Sequence, residues 1–274
     1  MNRSGLKNVI LILLLLVNMA AAGVLCYRAI SESRAAAELA GAAADYLSLC
    51  GVSVEDGVLS GRVERFEVVR LAPDVVRETE IARALLGPEA TRSENSSHSE
   101  FSSEAGLCSF DSDGYIEVLL HNSGISAASP AAARRAVTRL LGEALDISGA
   151  EISSEAAEGG FTVTFRDQLA GVYVENASLR ARLTPEGTLS VQGRWRMGTP
   201  SANLTSGDLI QAAAVAKFVG SCAGDLPFRE LEEISPVYWL YPEASGELSI
   251  IPAWRLETDG KPVILDAISA ERLQ

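Results

Sequence analysis

The chain has 274 residues, 47% of them hydrophobic, and a formal net charge of −13. The apolar fraction excludes a disordered chain. The acidic balance opposes phosphate backbones, so no nucleic-acid partner is expected.

Residues Val9–Tyr27, VILILLLLVNMAAAGVLCY, form a run of 19 residues without a charge. As a helix it spans about 28 Å, close to the ~30 Å hydrocarbon core of a bilayer. Asn18 is its one strongly polar side chain, followed by the small residues Ala20, Ala21, Ala22 and Gly23. Arg3 and Lys7 are the only charges before Arg28. Basic flanks stay inside, so residues 1–8 are expected as a cytoplasmic stub, 9–27 as a single transmembrane anchor and the rest outside the cell. A cleaved signal peptide is the competing reading, with Ala20-Ala21-Ala22 as the cleavage site. The apolar run continuing through Val24 and Leu25 favours the uncleaved anchor. Leu25 also stands where a lipoprotein site at Cys26 would want a small residue. Within hydrocarbon, Asn18 and the face of Ala21, Ala22 and Gly23 are the residues suited to contact a partner helix.

Ser31 to Leu49 reads as an Ala-rich helix with a stripe of Leu39, Ala43, Tyr46 and Leu47, stopped by Gly51. Strand-like text follows, with Val63, Phe66, Val68 and Val69. A helix is expected over Asp74 to Leu86, closed by Gly87-Pro88. Residues 89–104, rich in Ser and Glu, read as an exposed strand or a loop. GLCSF and YIEVLLH flank Asp111-Ser112-Asp113-Gly114, a hairpin signature. The same residues resemble the start of a calcium loop but lack its later ligands. Pro130 opens an amphipathic helix to Asp146, with Val137, Leu140, Leu141 and Leu145 on one side. Strands are expected over 150–156, 161–168, 172–183 and 188–196. A helix capped by Ser206 follows, with Ile210, Ala213, Ala214, Phe218 and Val219 inside it. Strands over 231–241, 248–257 and 263–267 close the chain. The order predicts an α+β protein of three units, 28–122, 125–198 and 204–274, each a helix on an antiparallel sheet.

No catalytic motif is present. His98 and His121 are far apart, and no serine elbow, P-loop or dinucleotide fingerprint occurs. Ser4-Gly5-Leu6-Lys7 matches S-x-x-K but lies in the stub. The abundant acids leave a carboxylate pair for glycoside chemistry open. Trp195, Trp239 and Trp254 sit on expected strands and read as core, with ligand stacking as the alternative. Cys26 lies in the apolar run, leaving Cys50, Cys108 and Cys222, an odd number that argues against a disulfide framework; a Cys50–Cys108 bridge stays open. Asn95, Asn176 and Asn203 stand in N-x-S/T sequons.

The last unit carries Ile251-Pro252-Ala253-Trp254-Arg255-Leu256 and then Ile264-Leu265-Asp266-Ala267-Ile268-Ser269-Ala270-Glu271. This resembles the end of PepSY-like domains, with Pro252, Trp254, Asp266 and Ala267 as the structural motif and Ala270 where that family favours Gly. Gly171–Glu175 with the hairpin at Pro185-Glu186-Gly187 is similar to PepSY-like text as well. The anchor plus tandem units resembles the YycH/YycI family, and YycI more closely. The resemblance implies a membrane-anchored, extracytoplasmic accessory regulator of a WalK-type sensor histidine kinase, possessing a sister regulator of the same family. It implies no enzymatic activity, no catalytic residue, no metal and no cofactor. The readings set against it are an inhibitor or binding module for an exported peptidase and a cell-wall hydrolase.

Overall fold

The computed structural model describes residues 3–94, 98–222 and 225–274. In chain order its elements are α1 (Arg3–Leu49), β1 (Ser53–Val54), β2 (Val63–Glu64), β3 (Glu67–Ala72), α2 (Val75–Leu86), β4 (Thr91–Glu94), β5 (His98–Ser103), β6 (Gly106–Asp111), β7 (Tyr115–Leu120) and α3 (Pro130–Ala144). There follow β8 (Glu151–Ala157), β9 (Gly160–Leu169), β10 (Val172–Leu183), β11 (Leu189–Arg194), β12 (Thr199–Thr205), β13 (Leu209–Ile210), α4 (Gln211–Ser221), β14 (Glu230–Pro242), β15 (Leu248–Thr258) and β16 (Val263–Asp266). The protein is mixed α+β. Its contacts group into two units, Met1–Glu64 with Asp208–Ile234 and Leu256–Gln274, and Arg65–Gly207 with Ser235–Arg255.

In the first unit, α1 is one continuous helix through the apolar run to Leu49. It ends in a Schellman turn. Val52 N–H bonds to Leu47 O at 2.9 Å and Gly51 N–H to Ser48 O at 3.0 Å, with Gly51 at φ 81°. That left-handed conformation is what a glycine supplies. The buried positions near the end of α1 are Ala43 and Leu47, whereas Leu39 and Tyr46 are 38% and 40% exposed. The expected stripe therefore has the right period but sits rotated toward α4 and β1, on which α1 packs. The Gly61 backbone lies so close to Ala36 O that a Cβ there would stand 2.0 Å away.

Ser206 does not cap α4. The N-cap is Ile210, without a side-chain bond. Ser206 belongs to the second unit, where its Oγ accepts from Phe66 N at 2.9 Å and its N–H bonds to Phe66 O at 2.8 Å. The hydroxyl joins the ends of β3 and β12, and in local sequence it resembles a cap because both roles use the same short polar side chain. Gln211 holds the start of α4 instead: its Oε1 accepts from Ser60 N at 2.7 Å and its Nε2 donates to Ile234 O at 3.3 Å.

The C-terminal turn of this unit is built on Asp266, whose Oδ1 accepts from Ile268 N at 2.6 Å and Ser269 N at 2.9 Å. Ala270 closes it at φ 58°. A left-handed conformation strains any residue with a Cβ, and a branched one most. Ala270→Val is expected to be less stable than Ala270→Gly by about 2 kcal/mol, read from denaturant midpoints.

In the second unit, eight strands pair antiparallel in the order β4-β5-β6-β7-β11-β10-β9-β8. The helices α2 and α3 pack on this sheet. Sequence order predicts a separate sheet for each helix; here the two meanders join at β7 and β11, from Leu189↔Leu120 to Arg194↔Tyr115. Joining two edges removes two rows of unpaired backbone groups. Both helices follow their sequence signals. Asp74 caps α2 by accepting from Arg77 N at 2.9 Å, and Gly87 ends it at φ 90°. Ser129 caps α3 with Pro130 in the first turn. Ile81, Leu85, Val137 and Leu141 face Phe101, Phe165, Leu179 and Trp195 in the core. Thr91–Glu94 and His98–Ser103 pair as strands and bury Phe101, while Asn95 lies outside the described residues.

A second group of strands runs β12-β3-β15-β14 and meets β10 at Val174↔Tyr238. The ladder there is completed by a side chain. Asn176 Nδ2 donates to Leu240 O, and Leu240 N donates to Asn176 Oδ1, each at 2.8 Å. The sequon residue thus stands in for a backbone amide. Asn176→Ala is expected to cost about 2 kcal/mol by leaving both Leu240 groups unpaired, measured by urea denaturation.

Candidate functional site

The second unit contains two clefts that share Leu71, Met197 and Gly198. Both depend on the segment between β11 and β12, where Gly198 at φ 107° passes so close to β3 that a Cβ would stand 2.2 Å from Ala72 O. The first cleft, about 300 Å³, is lined by Asp74, Glu78, Arg92, His98 and Asp111. Burial raises the Glu78 carboxyl above its usual range, opposed by Ser99 and Arg92. Its Oε2 is buried without a hydrogen bond. His98 Nδ1 lies 4.0 Å from Asp111 Oδ1. No group of three or more metal-ligating side chains occurs among the described residues.

The second cleft, about 320 Å³, has an apolar floor of Val69, Leu71, Ile81 and Ile250 and a charged rim of Arg77, Asp146 and Arg196. Arg196 is 22% exposed and reaches inward to Asp167, which is fully buried on β9; Nε and Oδ2 lie 2.5 Å apart. The approach is not aligned as a hydrogen bond. Burial pushes the Asp167 carboxyl up, against the pull of Arg196. Asp146 is the opposite case. The Ser148 side chain, together with Arg196 and Arg77, holds its carboxyl below the usual range. Asp146 O also accepts from Trp195 Nε1 at 3.1 Å, which locks the rim to the core.

Of the residues singled out from sequence, Pro252 and Trp254 are buried on β15, and Trp254 packs edge-on against Phe66 at 5.6 Å. Asp266 and Ala267 form the C-terminal turn of the first unit. Asn18 is an exposed position of α1, and the side chains of Ala21, Ala22 and Gly23 lie outside the described residues. None of these lines either cleft. Trp195 and Trp254 are core, and Trp239 is half-buried. The Asp111–Gly114 segment is a hairpin turn, with Gly114 N–H on Asp111 O at 3.0 Å and Asp113 paired to Arg194 at 2.7 Å. Cys50, Cys108 and Cys222 are free thiols. Arg196 and Asp167 carried no signal in the sequence: they lie on different segments, and acids and arginines recur throughout the chain.

No protein-family model matches this chain, and no curated protein matches it in sequence. Among solved structures, an uncharacterized protein from Eubacterium rectale is 8% identical with a TM-score of 0.42, covering 81% of this chain and 89% of its own. The Bacillus megaterium YpeB C-terminal domain is 12% identical with a TM-score of 0.34, covering 75% of this chain and 99% of its own. At these values neither likeness carries a function to this chain.

Proposed function

We propose that this protein is a membrane-anchored, extracytoplasmic regulator of a sensor histidine kinase that works by protein–protein contact, with its outer part built from PepSY-like units. The observation that carries the reading is α1. It runs unbroken from the apolar residues to Leu49, buries Ala43 and Leu47, and leaves Tyr27 and Ile30 77% and 55% exposed. Among the described residues no helix is long and apolar enough to cross a membrane; the side chains of Val9–Val17 lie outside them. The span is therefore part of the proposal, supported by the charge-free run and its basic flank. The kinase as partner is supported by the resemblance of the anchor plus tandem PepSY-like units to the YycH/YycI family. Regulation would follow from binding one kinase conformation better than another.

Two measurements test this. With Cys50 and Cys222 replaced by Ser, a membrane-impermeant thiol reagent should label an engineered cysteine at Gln274 in intact cells. Cys108 stays silent, because burial beside Glu78 pushes its thiol up to about 12 and the thiolate is the reactive form. Labelling only after lysis overturns the topology. The kinase should co-purify with the full chain, and Asn18→Leu should weaken that association partially, an interhelical polar contact contributing about 0.6–2 kcal/mol. Normal binding after exchange of residues 9–27 for an unrelated apolar helix places the contact outside the membrane.

A further inference from the structure

The rim of the Arg196 cleft has an arrangement that stability alone does not require. Burying an ionised carboxylate is costly even when it is paired, and an apolar pair of similar volume serves stability as well or better. What Asp167 adds is orientation. Its charge attracts Arg196 through Nε, 2.5 Å from Oδ2, while neither Nη nitrogen has a partner among the described residues. A guanidinium paired at Nε on a cleft wall keeps its two Nη groups free, and these are the parallel donors that grip a carboxylate with two bonds. On the same rim, both hydrogen bonds to the Asp146 carboxylate fall on Oδ1, and Oδ2 has no partner among the described residues. Between these charges lies the floor of Val69, Leu71 and Ile250, all at least nine-tenths buried.

We infer that this cleft binds a ligand carrying a free carboxylate beside an apolar side chain: a free apolar amino acid or the C-terminal residue of a short peptide. Arg196 receives the carboxylate, Asp146 receives an ammonium or amide N–H, and the side chain covers the floor. The volume of about 320 Å³ suits a small ligand. Phosphate is excluded as the natural occupant, because Asp146 and Glu67 face the same space and a dianion would meet both. The binding claim stands independently of the kinase; only the statement that the ligand is the signal rests on the regulatory reading.

The test is calorimetric titration of the full-length chain in detergent with L-leucine, Gly-Gly-Leu and leucinamide. Leucine or Gly-Gly-Leu should bind saturably, at least about tenfold tighter than leucinamide, which lacks the anion. Binding of leucine alone identifies a free amino acid; binding of the tripeptide identifies a peptide terminus. Arg196→Lys keeps a cation opposite Asp167 but loses the two-pronged donor. It should weaken the acid that binds by about tenfold or more. Where that variant does not fold, Asp146→Asn, at an exposed position, serves instead and should weaken leucine or the tripeptide. Absence of binding by both acids at millimolar concentration, leucinamide binding as tightly as leucine, or an unchanged affinity in the variant overturns the inference. A kinase that co-purifies while no acid binds removes the ligand and keeps the regulator; an acid that binds without a kinase does the reverse.

Discussion

Trp254→Ala is expected to destabilise the protein by about 3–5 kcal/mol. The indole is fully buried and stands edge-on to Phe66, a contact only the ring makes. Truncation opens a cavity between strands that are tied to their neighbours, so the site cannot collapse to fill it. The ring nitrogen Nε1 is buried without a hydrogen bond. Trp254→Phe therefore loses no polar contact and should recover roughly half or more of the alanine loss. Urea denaturation followed by far-UV circular dichroism measures both. A loss below about 1 kcal/mol for the alanine variant would place the indole in solvent and revive a ligand-stacking role.

Arg196→Met should be comparably severe, about 3–5 kcal/mol, because it strands the Asp167 carboxylate in the interior. The double variant Asp167→Leu with Arg196→Met should regain most of that loss, since the cost lies in the unpaired charge and not in the missing pair. The pH dependence has a fixed sign. Burial raises the Asp167 carboxyl above its unfolded value, so the native state holds its proton more tightly. Stability then falls as pH rises through that raised value. Removing Arg196 takes away the largest opposing pull and raises the group further. The deficit of the single variant should shrink as pH falls from neutrality toward the ordinary Asp range of about 4. A deficit that does not change with pH would mean that Asp167 is uncharged in the native protein at neutrality.

Local signals were legible where the cause is local. Asp74 and Gly87 bound α2, Pro130 opens α3, and Gly51 stops α1, each through a bond or a φ angle that one or two residues decide; the Ser129 cap itself is seen only in the fold. The alternation of Phe161, Val163 and Phe165 likewise marks β9. What stayed hidden is set at a distance. Thr199–Thr205 has no apolar alternation and contains Pro200, yet pairs with β3 across a register shift after Pro200. A polar edge strand of this kind is recruited by its neighbour and not by its own pattern. The union of β7 with β11 depends on two edges meeting, which neither hairpin announces. The Arg196 cleft is illegible for the same reason: its donor comes from the β11–β12 connection, its buried carboxylate from β9 and its floor from β3 and β15.

The unbroken course of α1 from Arg3 to the turn at Gly51 fixes more than length. Each residue advances an α-helix by about 100°, so the direction in which Asn18 points is geared to the direction in which Leu47 docks. One alanine inserted near Ala37 would turn the outer end by about 100° against the inner end, while seven, close to two full turns, would nearly restore the alignment. If regulation passes along this helix, activity plotted against insertion length should rise and fall with the helical repeat. A flexible tether would show no such oscillation.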